Sequence, residues 1–350
     1  MSKNSDNLSS PDKGPERLGS KRLLIAVAVY FIAVSLIIGL PFYRIILAPG
    51  RHTILQVGER TFTSRDLIKR MRLKPPGPGT NQLEWATNVL QEIQNLELIR
   101  QEALKQKIEV SEQEVDREIK RRITASAPRE EKFEDLYGSW LRRLRLKEEE
   151  YRTWVQSDIY RVKLFQRFLD KVPATAEQVR IYAIVTNTAM KAEAINARLK
   201  KGDDFSELAK EVSIDLETSK KGGELGWIPK GVDELAIQGQ TQNTGIPTKT
   251  RDEAEQTRGE TPAVKLIDDI AFNLPTGRVS PSLNTIKGFY FLKVAAREPH
   301  QPLSEEHRGI LANKAFMEWL TDTARKGTKE GWIKWDWGSE TYSWVIAHLD

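Results

Sequence analysis

Residues 179–185 read VRIYAIV, and what surrounds them decides the fold. An Ala-rich helical stretch follows to Lys201, Gly202-Asp203-Asp204 punctuates the chain, a second helix covers Phe205–Val212, and the glycine-rich loop KKGGELGW occupies 220–227. β-Branched and aromatic residues suit a pleated, half-buried strand. Just upstream, Thr175-x-x-Gln178 reads as the cap of a short turn. Downstream, the spacing predicts a helix near Leu266–Leu274 and a strand at Phe289–Val294. Helices mixed with non-consecutive strands predict a compact α+β domain. Within it, residues 236–262 hold almost no large apolar groups and read as a solvated loop insertion.

Working outward, the chain before Pro173 is helical. Thr53–Val57 reads as a short strand closed by Gly58-Glu59, and TSRD at 63–66 opens a helix that LKPPGPGT ends. From Asn81 to Gln106, Leu83, Val89, Leu90, Ile93, Leu96, Ile99 and Leu104 recur mostly at three- and four-residue steps. Ser111-x-x-Glu114 is a capping box for the next helix, and amphipathic segments cover Phe133–Leu144 and Glu148–Leu169. These apolar stripes read as core. After Ser304 an amphipathic helix runs to about Lys326. A tail holding Trp332, Trp335, Trp337 and Trp344 follows; it reads as a cap on another domain, with an interfacial membrane belt as the alternative.

From Leu23 to Tyr43 no charge interrupts LLIAVAVYFIAVSLIIGLPFY. At roughly 1.5 Å per residue that stretch matches a bilayer core of about 30 Å. No small-residue cleavage site follows, so the span reads as an uncleaved signal anchor. Lys3, Lys13, Arg17, Lys21 and Arg22 precede it, which favours an inside N-terminus and an extracytoplasmic bulk. Residues 1–21 read as a disordered cytoplasmic tail.

Composition narrows the chemistry. The 350 residues contain no Cys and four His, so thiolate nucleophiles, disulfide frameworks and His-centred metal sites are excluded as readings. Lys and Arg number 54 against 49 Asp and Glu, and the two signs interleave: Arg142, Arg143, Arg145 and Lys147 run straight into Glu148–Glu150. That is a salt-bridged surface, and nucleic acid is not expected as a partner. No G-x-G-x-x-G, Walker loop or G-x-S-x-G occurs, which disfavours dehydrogenases, nucleotidases and hydrolases.

The segments VRIYAIV, GDDFSELAKEVSID, SKKGGELGWIPKG, IDDIAFNLPTGRVSPSLNT and KGFYFLKV, in that order, resemble parvulin-type peptidyl-prolyl isomerases. LQVGERTFTSRDL, NLELIRQEALKQKIEVSEQEVDREI and LKEEEYRTWV resemble the helical chaperone module of SurA-like and PrsA-like foldases. With the tail at 1–21 and the anchor at 22–47 read from composition, the resemblance implies a helical module at 48–178, a parvulin-like domain at 179–297, and a C-terminal part, 298–350, packing on the helical module. It also implies a task. Rotation about an X–Pro amide faces a barrier of about 18–20 kcal/mol, breaks no bond and needs no cofactor or metal. An apolar pocket for the proline ring and polar groups favouring the twisted amide suffice.

By the same resemblance, Leu225 and Ile267 line the proline pocket with Phe272 beside them. Thr285 supplies the central hydroxyl, and Asp215, or its neighbour Leu216, falls where the family places a Cys or Asp near the bound carbonyl. Two positions usually held by His are Ala183 and Tyr290 here, so Asp215, Thr285 and Tyr290 form the candidate catalytic set. Two functions stay open: a membrane-anchored, extracytoplasmic isomerase acting on X–Pro bonds of exported polypeptides, and a holdase whose parvulin domain only binds peptide. Both take unfolded polypeptide clients and use the bilayer through 23–43.

Overall fold

The computed structural model describes Tyr30 and residues 48–125, 132–232, 269–285 and 288–349. The tail at 1–21, the anchor at 22–47 apart from Tyr30, the insertion at 236–262 and Ile267 lie outside the described residues. Among the described residues no helix is long and apolar enough to cross a membrane.

A single turn, α1 (Ala48–Arg51), leads into the hairpin of β1 (Thr53–Val57) and β2 (Arg60–Thr63). Thr63 then caps α2 (Ser64–Leu73) reciprocally: its Oγ1 accepts from Asp66 N at 3.4 Å, and the Asp66 carboxylate accepts from Thr63 N at 2.8 Å. Helices α3 (Gln82–Lys105), α4 (Glu112–Thr124), α5 (Phe133–Leu144) and α6 (Glu148–Lys171) follow. The apolar steps of α3 bury Leu90 and Ile99 against Leu164 of α6, while Val115 and Ile119 of α4 meet Tyr151 and Val155 of α6 in a second cluster. Arg70 is buried between these helices. Its guanidinium donates to Glu92 Oε1 at 2.8 Å and lies 3.7 Å from Asp158. Burial alone would raise the Glu92 carboxyl, but Arg70 and Lys74 outweigh it and leave the group below its ordinary value.

The second sheet begins with β3 (Thr175–Thr186), continues through α7 (Ala189–Lys201), α8 (Phe205–Val212), the short α9 (Leu216–Ser219) and β4 (Glu224–Pro229), and ends with β5 (Leu283–Thr285) and β6 (Gly288–Pro302). Strand order is β4-β3-β6-β5, all neighbours antiparallel. Here one expectation fails. Residues 175–178 form no capped turn but are strand, paired with the far end of β6 from Thr175↔Pro302 to Gln178↔Glu298. The buried Gln178 amide donates to both Gln301 O and Pro302 O at 3.0 Å, which ties the ribbon shut where it meets the helices. The Thr-x-x-Gln pattern is followed by no helical apolar period, and the ladder takes the backbone instead.

After β6 comes α10 (Glu305–Glu330), then β7 (Ile333–Trp335) and α11 (Ser339–Ala347). Helix α10 returns to the helical module, where Phe316 packs edge-on against Phe165 at 5.8 Å and Phe168 at 5.3 Å between ring centroids. β7 pairs with β1, giving the order β2-β1-β7 with Leu55 opposite Trp335. The indole N–H groups of Trp335 and Trp337 donate to Gln94 and Thr87 of α3 at 2.6 and 3.1 Å. These two tryptophans are therefore a cap on the helices, with their polar edges spent inside the protein.

Candidate functional site

Strand pairing puts the site on one face of the second sheet. Directly opposed residues share a face, and Ala183 opposes Leu292 while Tyr290 lies between Val185 and Leu283. Ala183, Val185, Leu283, Tyr290 and Leu292 form one buried cluster, with Leu225 and Ile270 packed against it. The opposite face, with Ile184 and Phe291, is covered by Ile195 of α7 and by Phe205 and Leu208 of α8.

The GGELG loop reaches this face because two backbones nearly touch. Gly223 sits at φ +84, and a Cβ there would lie 2.3 Å from the Ala183 carbonyl oxygen. Only glycine fits both the dihedral and the gap. Ala183 N donates to Gly223 O at 2.7 Å, so the contact is also a hydrogen bond, and it delivers Leu225 two residues later to the sheet face. At the opposite hairpin Gly288, φ +123, has the same constraint against Thr186 O. Thr285 pairs with Gly288, and its hydroxyl donates to Gly288 O at 2.8 Å.

Leu225, Tyr290 and, by strand alternation from Leu283, Thr285 therefore belong to one face. Phe272 lies in the adjoining cluster with Ala271, Val179, Ile181 and Val294, a cluster that Leu225 also joins. Asp215 stands apart from these strands as the N-cap of α9. Its carboxylate accepts from Glu217 N at 3.2 Å and from Thr218 Oγ1 at 2.6 Å. The loop it stabilises is bound to the end of β3: Ile214 N donates to Val185 O at 2.9 Å, and Val185 N donates to Ser213 Oγ at 3.1 Å. Leu216, beside the cap, is largely exposed. Ala183 contributes only a methyl group, so Tyr290 and Thr285 carry the hydroxyls of this face. Among the described residues no group of acidic and His side chains is placed to hold a metal ion.

Two lining residues escape a reading of the sequence alone. Ile270 lies in the short helical stretch 269–273, too brief to show an apolar period in the sequence. Leu283 alternates with Thr285 in a three-residue strand too short to show a period.

Family models match both parts of the chain: a SurA-like N-terminal domain over residues 17–165, and a PPIC-type PPIase domain over 183–298. The chain carries a SurA-like N-terminal domain followed by a parvulin-type, PPIC-type PPIase domain, and in this it is similar to the PrsA foldases. Foldase protein PrsA of Geobacillus kaustophilus (strain HTA426) is 26% identical over 222 residues, covering 60% of this chain and 63% of that protein. PrsA of Bacillus subtilis (strain 168) is 26% identical over 198 residues, 56% of this chain and 57% of that protein. The chain thus spans about three fifths of the length of the curated foldases it matches. Among solved structures, PrsA from Bacillus anthracis aligns with a TM-score of 0.40 at 19% identity, covering 69% of this chain and 97% of that one. The parvulin domain of PpiD from E. coli aligns with a TM-score of 0.23 at 24% identity, covering 36% and 92%.

Proposed function

We propose that this protein is an extracytoplasmic foldase that rotates X–Pro bonds of exported polypeptides on the sheet face around Tyr290. The observation that carries the reading is the convergence of Leu225, Leu283 and Ile270 on Tyr290, with Thr285 on the same face. An apolar floor holds the proline ring, and hydroxyls at its edge favour an amide twisted out of conjugation over a planar one. Leu225, Ile267 and Phe272 bind the substrate ring; Tyr290 supplies a hydroxyl, Thr285, whose proton is held by Gly288 O, offers its oxygen as an acceptor, and Asp215 contributes through the rim loop that it caps. In this layout residues 22–47 anchor the chain in the membrane, 48–178 form the client-holding helical module, 179–297 the isomerase, and 298–350 fold back on the helices.

The test is catalysis of a proline-limited refolding reaction by the full-length protein. Acceleration that scales with protein concentration supports the reading; a rate equal to buffer at micromolar protein removes it.

The replacement of both imidazoles favours a second reading, a holdase whose parvulin domain binds peptide without turnover. It requires suppression of client aggregation to persist when residues 179–297 are deleted and to vanish when the helical module is deleted.

A further inference from the structure

We propose that Arg297 is a positioning residue for the proline pocket, clamping the C-terminal end of the helix that carries Ile270 and Phe272. The proposal rests on the isomerase reading above and adds a residue that none of the motifs includes.

The last carbonyls of a helix have no donor within it. Here the helical residues 269–273 close with Leu274 N donating to Ile270 O at 2.8 Å, and Pro275 brings no N–H of its own. Arg297 fills the gap from β6. Its Nη2 donates to Phe272 O at 2.7 Å, with Ala271 O and Leu274 O each 3.5 Å away. Its Nη1 donates to Glu177 Oε1 at 2.8 Å, which fixes the other arm of the guanidinium on β3. The same group stands 5.7 Å from the centroid of the Phe272 ring.

One planar cation thus joins two sheet strands to a helix end, where its charge also complements the helix dipole. Lysine has no comparable fork and would meet one partner at a time. The consequence bears on the site. Ile270 packs in the Tyr290 cluster and Phe272 in the adjoining one, and Leu225 belongs to both. The clamp therefore sets how far this helix stands from Leu225, and that separation is the width offered to a proline ring.

The test compares full-length wild type, Arg297→Ala and Arg297→Lys by amide hydrogen exchange over 269–277 and by isomerisation kinetics on a short proline peptide. In Arg297→Ala the Leu274 amide should exchange about tenfold faster and KM should rise about tenfold, with kcat within about twofold of wild type, as the loss of a charged hydrogen bond predicts. Arg297→Lys should fall between the two, and it carries the comparison alone should the alanine variant fail to fold. Unchanged exchange over 269–274, or faster exchange with KM unmoved, overturns the proposal. A wild type without turnover removes the isomerase reading and this role with it, whereas faster exchange in the variant would still leave Arg297 as a structural clamp.

Discussion

Thr218 Oγ1 donates to Asp215 Oδ2 at 2.6 Å, so the Asp215 carboxylate is engaged as a helix cap. Asn caps nearly as well as Asp, whereas Ala does not. Asp215→Asn should therefore keep the isomerisation rate within about twofold, as for substitutions outside the machinery. Asp215→Ala should cost about 1 kcal/mol in urea unfolding. A large loss of rate in the Asn variant would show instead that the charge itself is used.

Tyr290 is buried at the centre of the sheet face. Removing its hydroxyl while keeping the ring, in Tyr290→Phe, should lower kcat/KM about tenfold if that group hydrogen-bonds the twisted amide. Stability serves as the control and should fall by no more than about 1 kcal/mol, one hydrogen bond's worth, because the apolar packing is retained.

Gly223 admits no side chain, because its Cβ would collide with the Ala183 carbonyl. Gly223→Ala should destabilise the domain by about 2 kcal/mol or more, combining a strained dihedral with a displaced strand. Denaturant unfolding followed by hydrogen exchange of the β3 and β4 amides would report it.

Phe316 should matter as much to the helical module as any residue within it. Phe316→Ala removes a buried ring from contact with Phe165 and Phe168 and should cost about 3–5 kcal/mol. The unfolding midpoint of α6 by hydrogen exchange should fall together with that of α10.

Acid should loosen α4 from α6. Hydrogen bonds from Arg121, opposed by partial burial and reinforced by Arg122, hold the Glu118 carboxyl at about 2 against an ordinary value of 4.5. Arg122 in turn donates to Asp158 of α6 at 2.8 Å. A carboxyl whose value is depressed by folding stabilises the native state above its unfolded value and loses that contribution as pH falls through the folded one. Stability should therefore decline between about pH 4.5 and pH 2. In Glu118→Gln that decline should be shallower in urea titrations across the same range.

What the sequence made legible was local. The box Ser111–Glu114 closes as its spacing implied, TSRD at 63–66 opens a helix as expected, and the α3 stripe from Val89 to Ile99 is core. The paired glycines of GGELG mark a backbone contact that only glycine permits, and Leu225 follows it onto the sheet face. Non-local pairings left no such trace. Residues 175–178 are polar and without apolar period, and their strand character comes from a partner more than a hundred residues away. Arg297 resembles any surface arginine in the sequence, since the carbonyls that give it meaning belong to another element. The neighbours of Tyr290, Leu283 and Ile270, emerge only when the strands are laid side by side.

The pairing of β7 with β1 also dictates an order of assembly. Nearly the whole described chain separates Leu55 from Trp335, whereas the strands of the parvulin sheet lie between those two points. Closing the shorter loops costs less entropy, so the inner sheet can form while the outer one waits for its last strand. A nascent chain halted before Trp335 would carry a finished inner domain on an unclosed helical one. Assembly would then run from the inside outward, the sheet of the helical module closing only when residues 333–335 reach β1.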